Sequence, residues 1–206
     1  MTENTYLEEM DKRMSRWYER LQNNLNLPEQ VSMNLASTIY SEAKNLPYKI
    51  KKKISNDLYI IPEQRLYLYD SYSIWEKSVD MVHRQLKEFP SPVAERKEFT
   101  QQAWYKVGWL AMLYISIVYP GDVLYELIAK EIDIQDTTLY KCVTLLRDRR
   151  IRAIREALAH GKWWFEGFNF ILFNKSEKLE VDYNELDFWI WLSRCTFYGL
   201  MQSLMQ

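Results

Sequence analysis

The chain is poor in residues that bend or break secondary structure, with five glycines and six prolines among 206 residues. Proteins built from many short strands need more of both, so this scarcity favours few, long helices. Cysteine and histidine are scarcer still, with two of each. They do not make a zinc site of the usual spacing, although a metal site built from carboxylates stays open. We expect Cys142 and Cys195 to be buried thiols.

The chain also lacks an excess of charge and a long apolar run. Its formal net charge is −1, so any binding of a polyanion must come from a local patch. The most apolar run, residues 107–119, is too short to cross a bilayer and fits a buried helix. The N-terminal residues lack the apolar segment of a signal peptide. We therefore expect a cytoplasmic protein without membrane contact.

Apolar residues make up 48% of the chain, which is ample for a hydrophobic core. Their spacing and the capping residues predict helices over 5–25, from Pro28 to about 46, from Pro62 to the FPSP linker at 89–92, over 93–118, from Asp136 to His160, and from Asp182 nearly to the C-terminus. Residues 168–173 and 178–181 are predicted to form a β-hairpin. The predicted fold class is all-α, an antiparallel helical bundle with a small β-hairpin between the last two helices. Residues 1–90 are expected to pack as N-terminal helices on a core of residues 91–206, within one continuous domain.

The most distinctive segment is RDRRIRAIREALAHGKW, residues 147–163. Between Arg147 and Lys162 it holds six lysines and arginines and two acidic residues, an excess of four positive charges. On a helix, residues four apart lie on one face, so Arg152, Glu156 and His160 are predicted to form one row. In that row, Glu156 is placed to accept a hydrogen bond from His160 and to pair with Arg152.

An arginine and a histidine suit cleavage of a phosphodiester without a metal ion. The histidine exchanges protons with the 2′-hydroxyl or the leaving oxygen, and the arginine neutralises charge on the phosphorane. However, Arg155 lies about 140° around an ideal helix from His160. The two converge on one ligand only if the helix end loosens at Gly161 or if a second copy faces the first. An ordinary helix end, with cations and a histidine before glycine, is the structural alternative.

The segment IREALAHG, residues 154–161, resembles the signature of HEPN domains. These are all-helical proteins whose motif is an arginine, usually a polar residue, a few more residues and then a histidine, on one of the last helices. Gly161 and Trp163 after the histidine also fit, and the resemblance covers residues 91–206. Many HEPN proteins are metal-independent endoribonucleases in toxin–antitoxin, phage-defence or CRISPR-linked systems. They typically dimerise so that motif residues of two copies form one cleft.

The resemblance implies a homodimer that acts on RNA, with Arg155 stabilising the phosphate and His160 as the catalytic acid–base group. Arg152 and Glu156 would support them, although Asn, Asp or His is commoner in the family where Glu156 stands. The residues expected to bind RNA are Arg149, Arg150, Lys162 and Trp163. No cofactor is implied, and an antitoxin or a regulatory protein is an expected partner. The alternative function is a non-catalytic HEPN-like module for dimerisation or partner binding.

Three further features allow two interpretations each. The aromatic run Trp163–Phe165 follows the motif and either stacks on an unpaired base or closes the core. The basic stretch Lys49–Lys53 either contacts nucleic acid or forms a solvated face. His83 is predicted to be a core-boundary residue rather than a site residue.

Overall fold

The computed structural model divides the chain into two compact units, Met1–Tyr59 with Tyr114–Gln206, and Ile60–Leu113. The structure describes residues 3–57, 128, 130, 136–166, 169–174 and 177–204, all within the first unit. Several predictions lie outside the described residues: the helices from Pro62 to the FPSP linker and over 93–118, the linker itself, His83 and the boundary at residue 90.

The described part of the chain is mainly helical, with a small sheet before the last helix. Residues 3–57 form helices α1 (Glu3–Met14), α2 (Tyr18–Leu25), α3 (Glu29–Met33), α4 (Leu35–Lys44) and α5 (Tyr48–Asp57). From residue 136 onward follow α6 (Thr138–Leu146), α7 (Arg149–Ala159), β1 (Trp163–Glu166), β2 (Asn169–Asn174), β3 (Glu177–Val181) and α8 (Tyr183–Leu204). None of these described helices is both long and apolar enough to cross a membrane.

The two helices predicted near the N-terminus are each divided in the structure. A short 3-10 turn at Ser15–Trp17 separates α1 from α2. At Asn34, with φ −118° and ψ 40°, the backbone leaves the helical region between α3 and α4. The predicted apolar face nevertheless persists across the first break. Its buried members are Leu7, Met10, Met14, Leu21 and Leu25.

The predicted motif helix is also two helices, α6 and α7. The carboxylate of Asp148 accepts the backbone N–H of Arg150 at 2.8 Å, so it offers the backbone an alternative to a continuous helix. The predicted cap at Asp136 is wrong by one residue. The hydroxyl of Thr137 instead accepts the N–H of Tyr140 at 3.1 Å at the start of α6.

The core is centred on α8, which packs against α4, α1 and α6. Gly199 lets α8 approach α4 closely, because an added Cβ would lie 2.9 Å from the carbonyl oxygen of Ala36 and 2.9 Å from Cγ2 of Ile39. Cys142 and Cys195 are buried thiols, as predicted. Burial raises the pKa of both thiols, so neither is a reactive thiolate at neutral pH.

Two carboxylates tie the starts of later helices to earlier ones. Asp11 on α1 accepts the N–H of Ala36 at 2.6 Å and the N–H and hydroxyl of Ser37 at 3.2 and 2.5 Å, at the first turn of α4. Burial raises the pKa of Asp11 despite these hydrogen bonds. Glu42 on α4 accepts the first two N–H groups of α6 at 2.9 and 2.7 Å. These contacts satisfy N–H groups that a helix leaves unpaired at its start.

The small sheet has three antiparallel strands in the order β1-β2-β3. The predicted hairpin corresponds to β2 and β3 and is confirmed. Strand β1 was not predicted, because its four residues show no apolar alternation. One face of the sheet is fully buried at Phe170, Leu172 and Val181, and β2 packs against α7. The sheet therefore holds α7 from one side.

Candidate functional site

Helix α7 exposes one narrow side to solvent. Its buried side chains are Ile151, Ala153, Ile154, Arg155 and Ala157. The exposed positions on the helix and at its end are Arg149, Arg152, Glu156 and His160. These four recur at steps of three and four and span an arc of about 80° on an ideal helix. We call them the motif stripe.

The motif stripe ends where α7 terminates on glycine, as the sequence predicts. Gly161 has a positive φ of 65°, which a residue with a side chain adopts only with strain. The N–H of Lys162 donates to the carbonyl of Ala157 at 2.9 Å and that of His160 to the carbonyl of Glu156 at 3.0 Å. This pairing satisfies helix-end carbonyls. It leaves the His160 side chain exposed at the end of the stripe.

The two residues expected to be catalytic differ in their surroundings. His160 is exposed, whereas Arg155 is only 8% exposed and has interactions of its own. An offset of five residues also turns Arg155 about 140° from His160. The structure brings Arg152, Glu156 and His160 to one exposed side, and it does not bring Arg155 to that side.

Arg150 is half-buried and is held by other side chains rather than lying on the motif stripe. Its guanidinium makes a two-pronged ion pair with Glu185, in which Nε meets Oε1 and Nη2 meets Oε2 at 2.8 Å. Nη2 also donates to the carbonyl of Glu180 at 2.8 Å. The hydrogen bond with Glu185 raises the pKa of Arg150. Since Asp182 caps the same turn of α8 by accepting the Glu185 N–H at 2.8 Å, Arg150 joins α7 to the start of α8.

The aromatic residues after the motif divide between core and solvent. Trp163 is half-buried, with its ring centroid 5.9 Å from that of Phe170 in the core, which agrees with core closure. Trp164 is 37% exposed. Phe173 on β2 is exposed to the same extent, and its ring lies 5.0 Å from that of Trp164. Sequence reasoning missed Phe173, because residues 170–173 are a continuous apolar run that does not single out one outward ring.

Two other features of the described residues bear on binding chemistry. Within the described ranges, no three His, Cys, Asp or Glu side chains are arranged to hold a metal ion. An open groove of about 490 Å³ lies between the end of α2 and α6, and its lining includes Asn24, Tyr140, Lys141 and Asp148. The groove carries one cation and one anion and no reactive group. The motif stripe is therefore the stronger candidate site.

Comparisons of the chain with protein-family models, curated proteins and solved structures found no match. The likeness to HEPN domains therefore depends on the motif residues and on the order of elements around them. The exposed stripe can attract phosphate through its two arginines and can exchange protons through His160. Glu156 lies within the stripe and lowers its net positive charge.

Proposed function

We propose that this protein is an RNA-binding protein of HEPN type that acts as a homodimer and cleaves RNA without a metal ion. The motif stripe carries the proposal: two arginines and a histidine are exposed on a helix whose other described side chains are mostly buried. The cations gather the RNA backbone. His160 takes the proton of a 2′-hydroxyl or protonates the leaving oxygen. A toxin–antitoxin or phage-defence role, with an antitoxin or regulatory partner, follows from the family likeness.

The burial of Arg155 determines how two copies can share a site. A second copy that packs on the motif stripe meets exposed Arg152, while Arg155 lies about 100° from the centre of the stripe and is buried. Arg152 and His160 are separated by about 12 Å along the helix axis. If two α7 helices pack antiparallel about an axis near Glu156, Arg152 of one protomer lies beside His160 of its partner. In this arrangement Arg152 neutralises the phosphorane, and Arg155 holds α7 from within.

The basic test is incubation of the purified protein with mixed RNA in EDTA. We expect His160→Ala to lower the cleavage rate by about 10²- to 10⁴-fold and Arg152→Ala by about 10²- to 10³-fold. Lys12→Ala removes an exposed cation on α1 and is the matched control, with cleavage unchanged. Cleavage that persists in His160→Ala, or no cleavage of any RNA by the wild type, would refute the catalytic assignment.

A mixing experiment tests the shared site. When His160→Ala and Arg152→Ala proteins exchange subunits, each heterodimer regains one site with both residues intact. At statistical exchange the mixture recovers about a quarter of wild-type activity. A mixture as inactive as its two components would contradict a site shared across the dimer axis.

The second candidate function is a non-catalytic HEPN-like module for dimerisation or partner binding. Two observations favour it: Arg155 is buried, and the exposed carboxylate of Glu156 stands where it repels a phosphate. A dimer in light scattering that leaves RNA intact supports this function. Glu156→Gln separates the two candidates further, because removing the negative charge should tighten RNA binding only if phosphate approaches the stripe.

A further inference from the structure

The outward face of the small sheet carries an exposed aromatic pair beside the motif. Trp164 on β1 and Phe173 on β2 are each 37% exposed. Their ring centroids are 5.0 Å apart and their planes are tilted by 34°. Trp163, between Trp164 and the helix end, turns instead toward Phe170 on the buried face. The two outward rings thus form one contiguous aromatic surface.

Two lysines flank Phe173 on this same face. The N–H of Phe173 donates to the carbonyl of Lys162 at 3.0 Å, which places Lys162 opposite Phe173 on one side. The register of β2 and β3 places Lys178 opposite Phe173 on the other side. Directly opposed residues of antiparallel strands project to the same face. Both lysines are exposed, so Lys162 and Lys178 place a cation on each side of the Phe173 ring.

The Trp164 ring is held in place before any ligand arrives. Its Nε1 donates to Glu166 at 2.8 Å, and the Lys178 ammonium lies 6.0 Å from the Trp164 ring centroid. Lys178 also pairs with Glu166 at 3.5 Å, which offsets the charge of that carboxylate. Ile171, opposite Trp164 in the sheet, is fully buried. A fixed ring loses little conformational entropy when a ligand stacks on it.

We propose that Trp164 and Phe173, with Lys162 and Lys178, form a stacking platform for unpaired bases of single-stranded RNA. This inference rests on the proposed RNA-binding function and names single strands as its substrate class. Bases stack on aromatic rings only when they are unpaired, and lysines beside the rings attract the phosphates between them. Lys162 follows His160 by two residues, so a strand on the platform passes the end of the motif stripe.

The test measures the binding of the full chain to a labelled oligouridylate and to a blunt RNA duplex of equal length, by fluorescence anisotropy. We expect Trp164→Ala and Phe173→Ala each to weaken binding of the single strand by about tenfold, as for the loss of one stacked base. Binding of the duplex should change little. Trp164→Phe keeps a ring and should retain most of the affinity. Tyr48→Ala removes a 76% exposed ring on α5 and is the matched control.

The lysines provide a second readout that does not depend on the rings. Lys178→Gln should reduce the slope of log affinity against log salt by about 0.7 for a single strand. This measurement applies even if an alanine variant fails to fold, which circular dichroism will detect. An unchanged salt slope would count against a phosphate contact at Lys178.

The outcomes separate this inference from the proposed function. If the wild type binds RNA and both ring variants bind single strands equally well, the platform is refuted and the RNA-binding function stands. If the wild type binds neither the single strand nor the duplex, both the platform and the proposed RNA-binding function are refuted. If the ring variants lose the dimer but keep their RNA affinity, the rings belong to a protein interface and the platform is also refuted.

Discussion

Replacing Arg150 with alanine should destabilise the protein without weakening its RNA binding. The guanidinium makes a two-pronged pair with Glu185 and a 2.8 Å hydrogen bond to the carbonyl of Glu180. A hydrogen bond to a charged group contributes about 1.5–3 kcal/mol when it is well shielded. The Arg150 and Glu185 side chains are 39% and 17% exposed. Solvent screening therefore reduces the expected loss for the whole set to about 1–2 kcal/mol.

This loss of stability is measurable by thermal unfolding. A chain of this length changes its Tm by about 2–4 °C per kcal/mol, so Arg150→Ala should unfold about 2–8 °C below the wild type. A double-mutant cycle with Glu185→Gln should show a coupling energy of at least about 0.5 kcal/mol. The coupling would identify Glu185 as the partner whose loss matters.

Arg152→Ala is the matched control for Arg150→Ala, because the two arginines are close in sequence and Arg152 is exposed whereas Arg150 is half-buried. Its stability should stay within about 0.5 kcal/mol of the wild type, while its affinity for RNA falls. The opposite pattern, a stable Arg150→Ala protein that binds RNA poorly, would show that Arg150 contacts the ligand and that its ion pair is incidental.

The cap that Asp11 provides gives two further predictions. Asp11→Ala leaves the N–H groups of Ala36 and Ser37 without this acceptor and should lower the free energy of unfolding by about 1–3 kcal/mol in urea titrations; a loss below the error of the titration would contradict the role of the cap. Because burial raises the pKa of Asp11 above its usual 3.8, the folded state keeps a proton that the unfolded state has released. The contribution of Asp11 to stability should therefore fall as pH rises from about 4 through the raised pKa. Burial also raises the pKa of Asp187, so a second carboxylate contributes to the same dependence on pH. The control is therefore Asp11→Asn, in which stability should fall less as pH rises. An equal fall in stability would assign the effect to a group other than Asp11.

The two ends of α7 differ in how far the sequence predicts them. The C-terminal end follows from a local requirement, since Gly161 supplies the positive φ that terminates the helix. The N-terminal end was missed, although Asp148 is a capping residue type and the step of five residues from Leu146 to Ile151 interrupts the helical spacing of apolar residues. Periodicity hides a break that keeps the apolar spacing, such as the one between α1 and α2, but the break before α7 changes that spacing.

Contacts between distant segments explain other differences. Asp11 lies 25 residues from Ala36, and Glu42 lies 96 residues from Thr138. No local pattern relates these carboxylates to the helix starts that they satisfy. The same holds for Arg150, whose partner Glu185 is 35 residues away. Counting the arginines of a sequence segment therefore overestimates how many of them can bind a ligand, because some are engaged in ion pairs with distant residues.

The role of Arg155 depends on its burial, which the sequence does not predict. The spacing of the two residues predicts the angle between Arg155 and His160 around the helix, but not which of them is buried. If Arg155 acts in trans on a phosphate, mixing Arg155→Ala with His160→Ala restores one intact site per heterodimer. If Arg155 instead holds its own α7 in place, the Arg155→Ala protomer misplaces its own His160, and the mixture stays inactive. Its burial predicts the second result. Recovery near that of the Arg152→Ala mixture would overturn this assignment and require Arg155 to reach the partner's site.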